Sequence, residues 1–271
     1  MLVKTKQKTL TKIIYITGAL IATTALAYAI LAVNITPPGT VKIVIPTNHK
    51  YCEVGSPQIF VFGDSITYGS WDASGGWVQR LREFLDEENQ ADPNSYCIVF
   101  NLGVPANTST NLVSRFQTEF SLRKDQNAEK IAIFFIGIND SRYTQDSGFQ
   151  VSTSTFTSNI RKLINQAKGN NAKPIFLSIT PVDESKTAPI PWNPNISFTN
   201  NNIRQFNKIL KSVCNVNGAS YIDTYSKFIN YAESGLDYKS LLADGLHPNS
   251  EGHRIIYETV RDSLINSAIL Q

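Results

Sequence analysis

The chain has 271 residues, of which 42% are hydrophobic and 10% aromatic, so it can bury a core and is not an intrinsically disordered protein. Its formal charge of +3 originates near the N-terminus, where four lysines precede residue 13. Without these four, the 25 basic residues fall to 21, against 22 acidic residues. The remainder is therefore close to neutral, and no basic stripe marks a face for binding nucleic acid.

A basic segment, residues 1–12, is followed by residues 13–33, which carry no charge. A helix of that length spans about 30 Å, the thickness of the hydrocarbon core of a bilayer. We expect an uncleaved transmembrane anchor; a cleavable signal peptide is the alternative, and a buried core helix is a third interpretation. Because lysines stay on the cytoplasmic side, both leading interpretations export everything after residue 34. The sequence thus predicts an extracytoplasmic protein, either anchored to the cytoplasmic membrane by one N-terminal helix or secreted.

Residues 34–56 contain Pro37-Pro38-Gly39 and Pro46 and are typical of a linker. We expect one domain over residues 57–271. It contains five short apolar runs of the kind that forms buried parallel strands, at Gln58 to Gly63, Tyr96 to Leu102, Lys130 to Gly137, Pro174 to Ile179 and Ser220 to Asp223.

Segments between these runs have apolar residues at helical spacing. They include Phe156, Ile160, Leu163 and Ile164, then Phe206, Ile209, Leu210 and Val213, and a last helix with Ile256, Val260 and Leu264. Strands that alternate with helices indicate a doubly wound α/β domain, since parallel strands need long crossovers. In such a domain the loops at the carboxyl ends of the strands form the active site.

Polar or glycine-containing turns follow the first three predicted strands, at Gly63-Asp64-Ser65, at Asn101 to Asn107 and at Gly137 to Asp140. Asp244-Gly245-Leu246-His247 lies just before the last helix. A serine hydroxyl needs a neighbouring base to become a nucleophile, and that base needs a carboxylate to orient it. Ser65, His247 and Asp244 are therefore the candidate catalytic triad.

Acyl transfer also needs hydrogen-bond donors directed at the oxyanion that develops on the substrate. The backbone N–H groups of Ser65 and Gly103 and the side-chain amide of Asn139 are the candidate donors. All three follow predicted strands and are expected at one edge of the sheet.

In these motifs the chain resembles the SGNH, or GDSL-type, esterase and lipase family. The four family letters fall in order on Ser65, Gly103, Asn139 and His247, and the DxxH element falls on Asp244 to His247. The resemblance covers roughly residues 57 to 268. It implies a flavodoxin-like three-layer α/β/α sandwich with a five-stranded parallel sheet in the order 2-1-3-4-5, and hydrolysis of esters without a metal or cofactor.

We expect a serine-dependent hydrolase of carboxylic esters, acting on small-acyl or lysophospholipid-type substrates outside the membrane. The alternative is an O-acetyl carbohydrate deacetylase or an acyltransferase acting on envelope polysaccharide. The expected partners are a small-molecule, lipid or O-acylated glycan ester and the membrane, through the N-terminal helix.

Several other residues have more than one interpretation. Asp64 is expected to hydrogen-bond backbone and stiffen the nucleophile turn, and His253, within the last helix, to be a packing or surface residue. Trp71 and Trp77 either line the substrate pocket or pack elsewhere. The proline-rich stretch 181–199 is either a specificity loop or a surface excursion.

The three cysteines lack the spacing of metal ligands. In an oxidising compartment, Cys52 and Cys97 form a possible pair; the other interpretation is three small buried side chains.

Overall fold

The computed structural model describes residues 57–91, 97–231 and 237–267. The predicted basic segment (1–12), membrane segment (13–33) and linker (34–56) lie outside these ranges, so their boundaries stay predictions. Across the described ranges, no helix is long and apolar enough to cross a membrane.

Eight strands are present in the described ranges. They are β1 (Gln58–Gly63), β2 (Ile98–Gly103), β3 (Lys130–Phe135), β4 (Tyr143–Thr144), β5 (Gly148–Phe149), β6 (Ala172–Leu177), β7 (Ile196–Ser197) and β8 (Ser220–Ile222). Five of them pair in parallel in the order β2-β1-β3-β6-β8. Numbered within this sheet alone, the order is 2-1-3-4-5, which confirms the predicted topology.

Helices alternate with the strands. They are α1 (Ser65–Tyr68), α2 (Gly76–Ala91), α3 (Ser109–Ser121), α4 (Thr153–Gly169), α5 (Glu184–Thr187), α6 (Asn200–Asn217), α7 (Thr224–Asn230), a 3-10 helix (Tyr238–Leu241) and α8 (Ser250–Asn266). In one group α8 packs against α2 and α7, and in a second group α4 packs against α3 and α6. Helices thus flank the sheet, as predicted for an α/β/α sandwich.

The core consists largely of phenylalanines from adjacent strands and the helices that cover them. The ring of Phe62 lies 4.9 Å from that of Phe116, and Phe134 stacks on Phe176 at 4.6 Å. Every residue of β1 and of β3 is buried. Strands covered on both faces need apolar side chains at successive positions, and this is why they appear in the sequence as continuous apolar runs.

The ends of the central strands are in register. Gly63, the last residue of β1, pairs with Gly103 of β2 and with Phe135 of β3. The three polar turns predicted from the sequence therefore leave the sheet side by side. The register, rather than any single turn, brings residues from three separate segments to one edge.

The predicted strand boundaries differ from the observed ones by up to two residues. β3 ends at Phe135, before Gly137, whose φ of +130° is incompatible with a strand. β6 begins at Ala172, before Pro174, which pairs with β3 but not with the shorter β8. A proline is tolerated where one side of the strand has no partner.

A second, three-stranded sheet in the order β5-β4-β7 is a feature that the sequence did not predict. It joins the loop that follows β3 to the proline-rich stretch 181–199 through antiparallel pairing of Tyr143 with Ser197. The same stretch donates a 2.8 Å hydrogen bond from Asp183 N–H to the carbonyl of Gly245. The stretch is therefore hydrogen-bonded both to the loop after β3 and to the Asp244–His247 turn, and it is more than a simple surface excursion.

Cys97 is disulfide-bonded, whereas Cys214 is free and buried. The other cysteine of the predicted pair, Cys52, lies outside the described residues. Cys97 is buried, as the interpretation of three small buried side chains expects, but it is not a free thiol.

Candidate active site

The structure brings Ser65, His247 and Asp244 into one hydrogen-bonded chain at the carboxyl edge of the sheet. Ser65 Oγ lies 2.9 Å from His247 Nε2, and His247 Nδ1 lies 2.8 Å from Asp244 Oδ2. The distances are those required for a nucleophile, a base and the group that orients the base. Segments about 180 residues apart thus meet at this edge, and Asp244 and His247 share one turn.

The Asp244 carboxylate is held in its charged form. Its other oxygen, Oδ1, accepts backbone N–H bonds from Leu246 at 2.9 Å and His247 at 2.7 Å. Partial burial by itself raises the pKa of Asp244, but the hydrogen bonds from His247 and from these two N–H groups outweigh it and lower the pKa to about 2. Asp244 is therefore ionised at neutral pH and can stabilise an imidazolium.

Asp64 stiffens the nucleophile turn, as predicted. It is the N-cap of the short helix α1, and its Oδ1 accepts the N–H of Ile66 at 3.0 Å. Ser65 is thus the first residue of α1 and not its cap. Because the capping function belongs to Asp64, the Ser65 hydroxyl is available for His247.

Asp64 belongs to a pair of buried carboxyl groups behind the nucleophile. Burial raises the pKa of Asp64 to about 7, although the N–H of Ile66 and the nearby His247 oppose the shift. Burial also raises the pKa of Asp140 to about 6 against hydrogen bonds from Ser109. Desolvation disfavours the charged form, so both groups hold protons in the folded protein that an unfolded chain releases.

The contribution of these two groups to stability should therefore fall as the pH rises from about 4 to about 6 for Asp140 and to about 7 for Asp64, because each holds a proton in the folded state that it releases in the unfolded state. Asp64→Asn should reduce the slope by up to about 1.4 kcal/mol per pH unit, since the amide cannot ionise but still accepts the Ile66 N–H. Urea unfolding at pH 5 and pH 7.5 measures the slope. Asp146→Asn, on an exposed turn, is the control; an unchanged slope in Asp64→Asn would contradict the assignment.

Gly103 does not have the role that the sequence predicted for its backbone. Its N–H donates to Asn101 Oδ1 at 3.0 Å, so it is not a free oxyanion donor in this structure. A Cβ at position 103 would lie 2.3 Å from the backbone nitrogen of Tyr68. Glycine is needed here because β2 passes directly against α1, and Asn101 secures this contact by donating from Nδ2 to the carbonyl of Thr67 at 3.0 Å.

Gly103→Ala should consequently destabilise the protein by about 1–3 kcal/mol, because the methyl group would overlap backbone that cannot move independently of the sheet. Gly169→Ala is the matched control: the added Cβ meets nothing within 4 Å. Alanine is also the better helix former, so this control should leave the free energy of unfolding unchanged or raise it by up to about 1 kcal/mol. Equal stability of the two variants, measured by urea unfolding, would rule out the packing explanation.

The turn after β2 presents a different backbone donor. Ala106 has a φ of +63°, and the turn is closed by a 3.2 Å bond from Asn107 N–H to the carbonyl of Val104. The N–H of Ala106 donates to no residue that the structure describes. Asn139 Nδ2 donates to the carbonyl of Asn107 at 3.0 Å, which uses one of its two N–H bonds and ties the two loops together.

Arg115 holds these strand ends in place and was not identified from the sequence. Its Nη2 donates to the carbonyls of Gly63 at 3.0 Å and Leu102 at 2.9 Å, and its Nε donates to Asn107 Oδ1 at 2.8 Å. One guanidinium thus connects β1, β2 and the turn after β2. No local pattern predicts this, because two of the three acceptors are backbone carbonyls brought there by the sheet.

A buried network secures the loop after β3 from behind. Asp140 accepts the backbone N–H and the hydroxyl of Ser109 at the start of α3, and Asn159 donates to the Ser109 hydroxyl at 2.9 Å. Asp140 and Ser109 are completely buried. The network fixes the loop that carries Asn139.

The two tryptophans near the nucleophile have different environments. Trp77 is fully buried, and its ring contacts Phe135. Trp71 is 63% exposed, and its ring centroid lies 6.2 Å from that of His247. Packing is therefore the correct interpretation for Trp77, while Trp71 borders the site. His253 is buried, which agrees with the packing interpretation and not with the surface one, and its Nε2 lies 3.2 Å from the carbonyl of Ser70.

Within the described ranges, no group of three or more His, Cys, Asp or Glu side chains is arranged to hold a metal ion. Ser65 is hydrogen-bonded to an imidazole, which is in turn hydrogen-bonded to a carboxylate. The arrangement can perform acyl transfer through a serine.

Comparisons with known proteins agree with this chemistry. Residues 61–255 match the GDSL-like Lipase/Acylhydrolase family. Among curated proteins, the chain is 25% identical over 233 residues to an uncharacterized lipoprotein, YqeF, of Bacillus subtilis, covering 78% of this chain and 90% of that protein. It is 24% identical over 217 residues to an isoamyl acetate-hydrolyzing esterase 1 homolog of Bos taurus, covering 74% and 78%.

Among solved structures, an acetylxylan esterase from Geobacillus stearothermophilus has the same fold. It superposes with a TM-score of 0.60 at 21% identity, over 78% of this chain and 96% of that one. The family match extends over more than half of the chain and includes the segments that carry the serine, the asparagine and the histidine. The chain belongs to the GDSL-like lipase/acylhydrolase family and is a serine esterase of the SGNH type.

Proposed function

We propose that this esterase hydrolyses small-acyl carboxylic esters outside the cytoplasmic membrane, with Ser65 as nucleophile, His247 as base and Asp244 as the group that orients the base. The observation that carries the proposal is the continuous chain of hydrogen bonds from Ser65 Oγ through His247 to Asp244, with distances of 2.9 and 2.8 Å.

The reaction proceeds in two steps. His247 Nε2 takes the proton of Ser65 Oγ as the oxygen attacks the acyl carbonyl, and the same proton then passes to the leaving alcohol as the ester C–O bond breaks. Water attacks the acyl-serine in the second step, again with His247 as base, and releases the acid. Asp244 stabilises the imidazolium that forms in both steps.

In this proposal the oxyanion is bound by three N–H donors from three loops. They are the backbone N–H of Ser65, the second N–H of the Asn139 amide, and the backbone N–H of Ala106 in place of that of Gly103. Ser65 is the first residue of α1, so its N–H is not used by the helix. The free N–H of Ala106, in the turn to which Asn139 is bonded, supports the substitution of Ala106 for Gly103.

The acyl and alcohol parts of the substrate have more than one candidate. A short acyl group, or a lysophospholipid-type ester, is the first. An O-acetylated carbohydrate is the second, and the exposed Trp71 ring beside His247 favours it. Transfer of the acyl group to a sugar hydroxyl, in place of water, is a variant of the second candidate.

Location outside the cytoplasmic membrane is supported by the uncharged segment 13–33 and the lysines before it. A relative that is called a lipoprotein is consistent with this location. The N-terminal segment holds the enzyme at the membrane in this proposal, or directs its secretion if it is cleaved.

A panel of aryl esters from acetyl to long acyl, assayed beside acetate release from O-acetylated polysaccharide, tests the function. We expect acetyl esters to be hydrolysed fastest, with activity falling as the acyl chain lengthens. Faster hydrolysis of long-acyl esters would reject the small-acyl assignment. Appearance of an acetylated sugar product when an acceptor sugar is added would assign acyl transfer instead of hydrolysis.

A further inference from the structure

The loop between α1 and α2 holds one tryptophan in an unusual state. Trp71 is a large apolar side chain with 63% of its surface exposed, and its backbone has a φ of +69°. Bulky residues rarely adopt this left-handed conformation, and such outliers concentrate at functional sites. Because most of the ring is exposed, it adds little buried apolar area to the core.

The loop around Trp71 is held by hydrogen bonds and an ion pair. The carboxylate of Asp72 accepts the N–H groups of Ser74 at 3.0 Å and Gly76 at 3.2 Å and also forms an ion pair with Arg80. Arg80 in turn donates to the hydroxyl of Ser250, the first residue of α8, at 2.9 Å. The indole is therefore presented by a braced loop that is fastened to the helix following His247.

Trp71 borders His247, the residue that handles the proton of the departing alcohol. Its ring centroid is 6.2 Å from that of His247, and the two planes differ by 36°. His247 is the residue that returns a proton to the alcohol oxygen as the ester bond breaks. An exposed ring beside this imidazole is therefore in a position to contact the alcohol part of an ester.

The chemistry of an exposed indole face suits a sugar ring. A pyranose presents C–H bonds on one face and hydroxyl groups around its edge, so it can stack on a flat aromatic surface while the hydroxyls remain hydrated. An alkyl chain gains little from a single exposed ring, because most of its surface would stay in water.

We propose that Trp71 is the specificity-determining residue for the alcohol part of the substrate, and that this alcohol is a carbohydrate whose ring stacks on the indole beside His247. The inference rests on the proposed function, since it requires an acyl ester to be cleaved at Ser65.

The test compares two acetyl esters that differ only in the alcohol: an acetylated methyl glycoside and ethyl acetate. Trp71→Asn removes the ring but keeps a side chain that tolerates positive φ. We expect it to lower kcat/KM for the glycoside about tenfold, through KM, and to leave kcat/KM for ethyl acetate within about twofold. Trp71→Phe should retain most of the activity on the glycoside.

Leu122→Ala, which removes a similarly exposed apolar side chain at the end of α3, is the control and should change kcat/KM for neither ester. An equal loss on both esters, no loss on the glycoside, or a wild-type enzyme that favours ethyl acetate would overturn the role of Trp71. In each of these cases Ser65-dependent hydrolysis of ethyl acetate would leave the proposed function standing, whereas its absence would reject the function itself.

Discussion

Ser65→Ala should lower kcat/KM for an aryl acetate by about 10⁵-fold or more, because the nucleophile itself is lost. Ser65 Oγ makes a hydrogen bond only to His247 among the described residues, and the cap of α1 is Asp64. The alanine variant therefore keeps every other contact of the turn. Its free energy of unfolding should stay within about 0.5 kcal/mol of the wild type.

Ser74→Ala is the matched control for this experiment. Ser74 lies on the exposed loop nine residues beyond the nucleophile, and its hydroxyl makes no hydrogen bond to any described residue. This variant should keep full activity and full labelling by a fluorophosphonate probe, while Ser65→Ala should lose both. Hydrolysis by Ser65→Ala within tenfold of the wild type would refute the assignment of the nucleophile.

Asp244→Asn should lower kcat/KM by about 10⁴-fold with little change in fold, through an inverted histidine tautomer. Oδ1 of Asp244 accepts two backbone N–H groups, so the amide oxygen of an asparagine will occupy that position. Its NH₂ group then faces His247 Nδ1, which must accept a hydrogen bond from it and so cannot carry the ring proton. The ring proton moves to Nε2, where it points at Ser65 Oγ, and the imidazole can no longer take the serine proton.

The control for this variant is Asp237→Asn, since Asp237 caps the 3-10 helix through a 3.0 Å bond to Lys239 N–H and an amide can replace it. A second check uses the His247→Asn background. If Asp244 acts through His247, adding Asp244→Asn there should cause almost no further loss. Additive losses would show that Asp244 acts elsewhere, and near-normal activity of Asp244→Asn alone would remove it from the triad.

The agreement between sequence and structure is greatest where the signal is local. β1 has the predicted boundaries, Gln58–Gly63, because a fully buried parallel strand must be apolar at every position. The Asp64 cap follows from the residue adjacent to the helix start. The spacing of Asp244 and His247 is short enough for one turn to bring both side chains together, so this part of the site could be predicted without the fold.

The sequence could not predict features that depend on backbone groups from distant segments of the chain. Gly103 ends β2 and Ala106 lies in the turn after it, and the Gly103 N–H is occupied because Asn101, which also bonds to α1, accepts it. The strands β4, β5 and β7 have two residues each, too few to show any periodicity. Trp71 and Trp77 lie six residues apart, and the sequence left their environments open; in the structure one is exposed and the other is buried.

The sequence by itself determined the α/β class, the strand order that the family resemblance implied, and the serine, aspartate and histidine of the candidate triad, because apolar runs and closely spaced polar motifs are encoded residue by residue. The tertiary structure decided which backbone groups remain unpaired, which carboxyl groups lose their solvent and which aromatic ring borders the site. These properties depend on what surrounds each residue, and the surroundings come from segments that are up to about 180 residues away in the chain.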